Sequence, residues 1–163
     1  KNGEREGTFT TWYESDKKNT ELHFKDGTPE GLEITWCENK EMEIHYKNGQ
    51  KHGNETRFDS SSCCRGNKDR ETHFKDGKKH GLEVYYYSSY EAYSKNVKRS
   101  ETQFKDGEKH GFEKHYFKTG TLEEHGQNKN GVKEGVWTSY NEDGKKSHET
   151  QFTHGLVGGT KYF

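Results

Sequence analysis

Apolar and polar positions alternate along this chain in short runs, with a period of two. In GLEITW (31–36), Leu32, Ile34 and Trp36 fall on one face, while Glu33 and Thr35 fall on the other. In GLEVYY (81–86), Leu82, Val84 and Tyr86 oppose Glu83 in the same way. The limbs ELHF and EIHY pair Leu22 with Phe24 and Ile44 with Tyr46. This period predicts β-strands, and no segment has helical spacing.

The runs are punctuated by one recurring octet. FKDGKKHG begins at Phe74 and FKDGEKHG at Phe104, with variants beginning at Lys1, Phe24, Tyr46, Asn128 and Phe152. The first glycines are Gly3, Gly27, Gly49, Gly77, Gly107, Gly131 and Gly155, spaced by 24, 22, 28, 30, 24 and 24 residues. Regular spacing of this size marks a repeat architecture. Asn-Gly and Asp-Gly supply the positive φ angles of a tight hairpin turn. The second glycine of each octet marks a bulge, or a place where a ring lies over bare backbone. Such a bulge leaves the hairpin register open by one residue.

Five positions after the second glycine stand Trp12, Trp36, Phe58, Tyr86, Tyr116 and Tyr140, a structural aromatic column. The chain therefore reads as an all-β protein, a single repeat domain over 1–163. It is an elongated single-layer antiparallel meander of about seven stacked hairpins, beginning near 1, 24, 46, 74, 104, 128 and 152. With strands about 4.8 Å apart, some fourteen of them make a ribbon about 65 Å long. Each unit touches mainly its neighbours.

Composition sharpens this picture. Only 24% of residues are hydrophobic and 34% are charged, too little apolar matter for a conventional two-layer core. Aromatics at 13% and a single proline, Pro29, argue against disorder. The formal net charge of -1 gives no long-range field for nucleic acid or anionic lipid. No apolar run approaches the ~18 residues of a membrane span. The chain opens at Lys1 rather than Met, so it reads as a fragment or a processed form.

Candidate chemistry is sparse. His23, His45 and His73 share one column, and His52, His80 and His110 share another. Members of a column lie two strands, about 9.6 Å, apart. One zinc ion cannot be shared over that gap, because each ligand must come within ~2.1 Å of it. No metal site or cofactor is expected. The glutamate columns, among them Glu33, Glu55, Glu83 and Glu113, read as a solvated face salt-bridged across strands. A flat sheet offers no cleft to tune a catalytic carboxylate, and no nucleophile or phosphate motif is present, so no enzyme is expected. Cys37 lies within reach of Cys63 or Cys64 for a disulfide, while the odd count fits free thiols in a reducing compartment. Two long loops, 59–70 and 87–99, fall in consecutive units and should sit side by side on one edge. Tyr87, Tyr90, Tyr93, Lys95, Lys98 and Arg99 give the second loop the richest contact chemistry, because tyrosine and arginine are enriched at binding hot spots.

The core octet, an aromatic followed by Lys-Asn/Asp-Gly, two variable residues and His-Gly, stands at residues 46–53, 74–81 and 104–111. It resembles the MORN repeat, in the degenerate bacterial-type variant, over essentially the whole chain. The resemblance implies an elongated single-layer sheet of hairpins. It also implies a scaffolding or docking role toward another protein or the chain's own copies. Relatives in the variant group predicted to be antitoxins suggest a neutraliser of a partner protein as an alternative, and the aromatic columns suggest glycan binding as a third. Asn128 in place of an aromatic, and the terminal THGLVGG, depart from the pattern. They imply weaker or capping units near the C-terminus.

Overall fold

The computed structural model describes residues 3–36, 40–59, 67–88, 91 and 96–163. Among these, every regular element is a strand. They are β1 Gly7–Trp12, β2 Lys18–Lys25, β3 Thr28–Pro29, β4 Gly31–Trp36, β5 Lys40–Lys47, β6 Gln50–Phe58 and β7 Lys68–Lys75. After these come β8 Lys78–Tyr86, β9 Lys98–Lys105, β10 Glu108–Tyr116, β11 Leu122–Lys129, β12 Val132–Tyr140, β13 Lys146–Thr153 and β14 Leu156–Tyr162. All fourteen lie in one open sheet, antiparallel and in chain order, with β3 paired to β2 alone. Strands β3 and β4 form one interrupted strand. Pro29 stands where Lys51, Lys79 and Lys109 stand in other units, and it has no N–H for the ladder.

Each octet forms a two-residue hairpin turn. Asp76 and Gly77 have φ of 49° and 78°, the left-handed pair of a type I′ turn. The turns are also sewn to one another. Gly77 N–H donates to the Lys51 carbonyl of the preceding unit at 2.9 Å, and the other five described junctions repeat this bond. The residue before the second glycine adds a stitch. Glu6, Glu30 and Glu134 accept the next turn's backbone N–H at 2.9, 2.7 and 2.7 Å, while His52 and His80 face Asp76 and Asp106.

The second glycine is a bulge. Tyr46 pairs with Lys51 and Ile44 with Glu55, so His52, Gly53 and Asn54 together oppose His45. Gly53 has φ of 90°, and the His45 side chain lies 3.5 Å from where a Cβ would stand. The histidine column thus covers the bulges, and His45 Nδ1 meets the Asn54 carbonyl at 3.1 Å.

Having no second layer, the sheet makes its core within each face. The row Glu55, Thr72, Glu83, Thr102, Glu113 is buried on one face, with Glu55 only 1% exposed. These glutamates were expected to be solvated. Their ion pairs are present, but they lie beneath neighbours rather than in water. Lys51 Nζ bonds Glu55 at 2.6 Å and lies 5.1 Å from the Phe74 ring centroid, while Lys79 does the same with Glu83 and Phe104. Aliphatic lysine stems roof the carboxylates and rest on the next unit's ring, which is how a chain so poor in apolar residues excludes water.

The unit at Asn128 is closely packed. Three columns change together there. The aromatic becomes Asn128, the threonine becomes Gly126 and the glutamate becomes Trp137. The Trp137 ring comes within 2.3 Å of where a Gly126 Cβ would be, so only glycine fits beneath it. Trp137 is 1% exposed, and Asn128 donates to Glu113 at 2.6 Å. The last unit does depart. Gly158 and Gly159 lack positive φ, and every residue of β14 is exposed.

Candidate interaction strip

On the buried-glutamate face, a second row lies between the core and the long-loop edge. Register makes it continuous. Thr11, Thr20, Thr35, Met42, Arg57 and Arg70 are successive cross-strand neighbours, followed by Tyr85, Ser100, His115, Glu124, Ser139 and His148. From β6 to β10 the core row alternates Glu and Thr, whereas this row changes at each of those strands but the first pair. Beside it, each long-loop hairpin has a bulge on its return strand. Thr35 pairs with Met42 and Trp36 with Lys40, leaving Glu41 unopposed. Asn19, Asp69, Arg99, Glu123 and Ser147 occupy the same place in the other units.

The bulges open two hollows on this strip. One, of about 390 Å³, is lined by Thr35, Glu41, Met42, Arg57, Phe58 and Asp69. The other, of about 420 Å³, lies between β10 and β13, where His115, Phe117, Glu123, Glu124, Tyr140 and His148 border it. Arg57, on the border of the first hollow, and Arg70 and Arg99 beyond it make the strip cationic there. Arg57 Nε and Arg70 Nη2 each donate to Glu55 Oε1 at 2.9 Å. Burial by itself would raise the Glu55 carboxyl. The bonds from Lys51, Arg57 and Arg70 overcome it and hold the group at about 2. Glu113 is held at about 2 in the same way, by His115, Lys109 and Asn128 against its burial. Ser139 donates to Glu124 at 3.4 Å, and His148 Nδ1 lies 3.3 Å from Ser147.

The residues singled out from the sequence divide between places. Arg99 is exposed in the bulge column of the strip. Lys98 pairs with Glu101 on the opposite face. Tyr87 is half-buried, and its hydroxyl donates to the Tyr116 carbonyl at 2.7 Å. That tie makes it a strut between units, and burial pushes its pKa up, with Glu123 adding to the rise. Tyr90, Tyr93 and Lys95 lie outside the described residues, as do Cys37, Cys63 and Cys64. Where the two long segments re-enter the described residues they are joined, since Lys68 N–H donates to Asn96 Oδ1 at 2.9 Å.

The aromatic column forms a row on the opposite face, each ring set across from the first residues of the return strand. Its hydroxyls are committed. Tyr86 donates to Glu71, Tyr116 donates to Glu101 at 2.6 Å, and Tyr140 meets His125 at 3.2 Å. Burial, then the carboxylate partner, raises both the Tyr86 and Tyr116 hydroxyls well above the usual range. The variable strip was missed in the sequence because its members alternate between two strands whose register depends on unseen bulges. A column comparison at the fourth position after the second glycine, Thr11, Thr35, Arg57, Tyr85, His115 and Ser139, carries the signal.

Among the described residues, no three His, Cys, Asp or Glu side chains are grouped as ligands of one metal ion. Among the same residues, no helix is long and apolar enough to cross a membrane. No family model matches the chain, and no curated protein matches it.

Proposed function

We propose that this chain is a non-catalytic interaction module of MORN-like repeats, a stiff ribbon that holds another protein along its variable strip. The observation that carries this reading is the contrast between neighbouring rows on one face. From β6 to β10 the core row keeps Glu and Thr in alternation, while the strip beside it runs Arg57, Arg70, Tyr85, Ser100 and His115 on the same frame. Varied, partly exposed side chains at fixed spacing suit partner recognition, in the way that insertions and surface positions of other repeat arrays do. The face is open, and its buried carboxylates Glu55 and Glu113 are tied to cations and an amide. Those ties favour holding over turnover.

Photo-crosslinking tests it in the native host. A benzoylphenylalanine at Ser100 or Ser139 on the strip is expected to capture one partner, or a second copy of the chain. The same group at Gln103 or Gln151, on the opposite face, is expected to capture none. Capture confined to the opposite face would overturn the reading.

A further inference from the structure

The two hollows share a chemistry that sets them apart from the rest of the sheet. On the ribbon generally, carboxylates are neutralised within the fold. Glu21, Glu71, Glu101 and Glu149 pair with lysines on one face, and Glu55, Glu83 and Glu113 pair with cations on the other. At the hollows this pairing lapses. Glu41 and Asp69 in the first, and Glu123 in the second, make no ion pair or hydrogen bond among the described residues, and Asp69 and Glu123 are exposed. Each hollow also has an apolar side chain on its border, Met42 in one and Phe117 in the other.

We infer that each hollow takes a lysine or arginine side chain from an extended, basic-ended segment of the partner protein, an inference that rests on the proposed interaction role. The aliphatic stem lies along the apolar side chain and the charged head reaches the unpaired carboxylates, the division of labour that long cationic side chains adopt at interfaces. The strip also sets their spacing. The hollows centre on β5–β6 and β11–β12, six strands apart, which is about 29 Å at the usual strand separation. An extended chain rising ~3.3 Å per residue covers that distance in about nine residues. Arg57 borders the first hollow but is turned to Glu55, and Arg70 and Arg99 lie between the hollows, so charge complementarity places neutral or acidic residues in the middle of the segment. The partner's signature is two basic residues about nine apart, bracketing an acidic or neutral centre.

The probe is a thirteen-residue Ser/Gly peptide with lysines at positions 2 and 11 and aspartates at 6 and 7, titrated by fluorescence anisotropy at low salt. Acetylating both lysines is expected to weaken binding roughly tenfold, given the modest worth of open ion pairs. Moving the lysines to four residues apart loses the simultaneous engagement and weakens binding comparably. Glu41→Gln with Glu123→Gln is expected to reproduce the loss. Glu14→Gln with Glu108→Gln, exposed and away from the hollows, is expected to leave affinity unchanged. Equal binding of the acetylated peptide, or an equal loss in the control pair, overturns the inference. If strip crosslinks still capture the native partner while the peptide fails, the assignment of partner chemistry falls and the interaction role stands. If both fail, both fall.

Discussion

Two units of the ribbon solve one packing problem by opposite means. In the unit around Glu55, a carboxylate sits at the centre of its face, held by Lys51, Arg57 and Arg70 and covered by a lysine that rests on Phe74. In the unit around Trp137, the same column position carries an indole lying on bare Gly126. Lys133 Nζ is 3.7 Å from its centroid and Phe152 meets it edge-on. The backbone frame is shared, and so is the lysine lid. What differs is whether the space beneath the lid is filled by charge with its partners or by a ring. The frame therefore asks for occupied volume and satisfied donors, and it accepts either chemistry.

The largest test of that comparison removes the ring. Trp137→Ala removes the largest fully buried side chain among the described residues, and truncating a buried Trp costs about 3–5 kcal/mol. In a ribbon where units contact only their neighbours, the loss should be local. Hydrogen exchange followed by mass spectrometry is expected to show opening of β11 to β14 with β5 to β8 still protected. Uniform loss of protection would mean that the units are not energetically separable.

Acid separates the two units next. Glu55 and Glu113 are depressed to about 2 in the folded chain, against an ordinary carboxyl value of 4.5. A depressed pKa gives stability that is present above the unfolded value, so their contribution is whole above pH 4.5. It is lost as pH falls from 4.5 toward 2, and is on the order of 2–3 kcal/mol for each group. The Trp137 site has no such group at its centre. Wild type and the Glu55→Gln, Glu113→Gln double variant should differ in urea-unfolding midpoint at pH 6 and converge near pH 2. A gap that persists unchanged at pH 2 would show that the carboxylates act by shape rather than charge.

How much of this could be read in advance follows from where each feature's cause lies. The octet turns and the glycine bulges were legible, because Asp-Gly and a second glycine have local conformational causes that tertiary context does not reverse. Faces were legible too, since Leu82 and Val84 do share one side. Burial was not. Leu82 is 38% exposed while its neighbour Glu83 is 5% exposed. In a single layer there is no inside face, and depth depends on which neighbours are long enough to lie over a residue. That is a property of columns four to nine residues apart in register rather than of alternation. The strip was hidden for a related reason. Asn19, Glu41, Asp69, Arg99, Glu123 and Ser147 shift the register by one at each long-loop hairpin, and the sequence alone does not place that shift. The Tyr87 patch was overvalued because composition shows a hydroxyl but not the carbonyl that binds it.

The smallest expected effect is also the sharpest test of the opening comparison, because it converts one unit into the other. Thr72 and Glu83 occupy in the fourth unit the places that Gly126 and Trp137 hold in the sixth, and Thr72 donates to Glu83 at 3.1 Å. Glu83→Trp alone drives a ring into the Thr72 side chain and takes the acceptor from Lys79. Thr72→Gly alone leaves a void and an unmatched carboxylate. Together they recreate the glycine floor beneath the ring. Lys79 already lies 4.9 Å from the Phe104 centroid, as Lys133 lies over Phe152, so the lid needs no change. A double-mutant cycle should therefore show favourable coupling of about 1–2 kcal/mol, with the pair less destabilised than the sum of the singles. Additive singles would mean that the Trp137 unit depends on Asn128 or on its place near the end of the sheet, and that the frame is less permissive than the two units suggest.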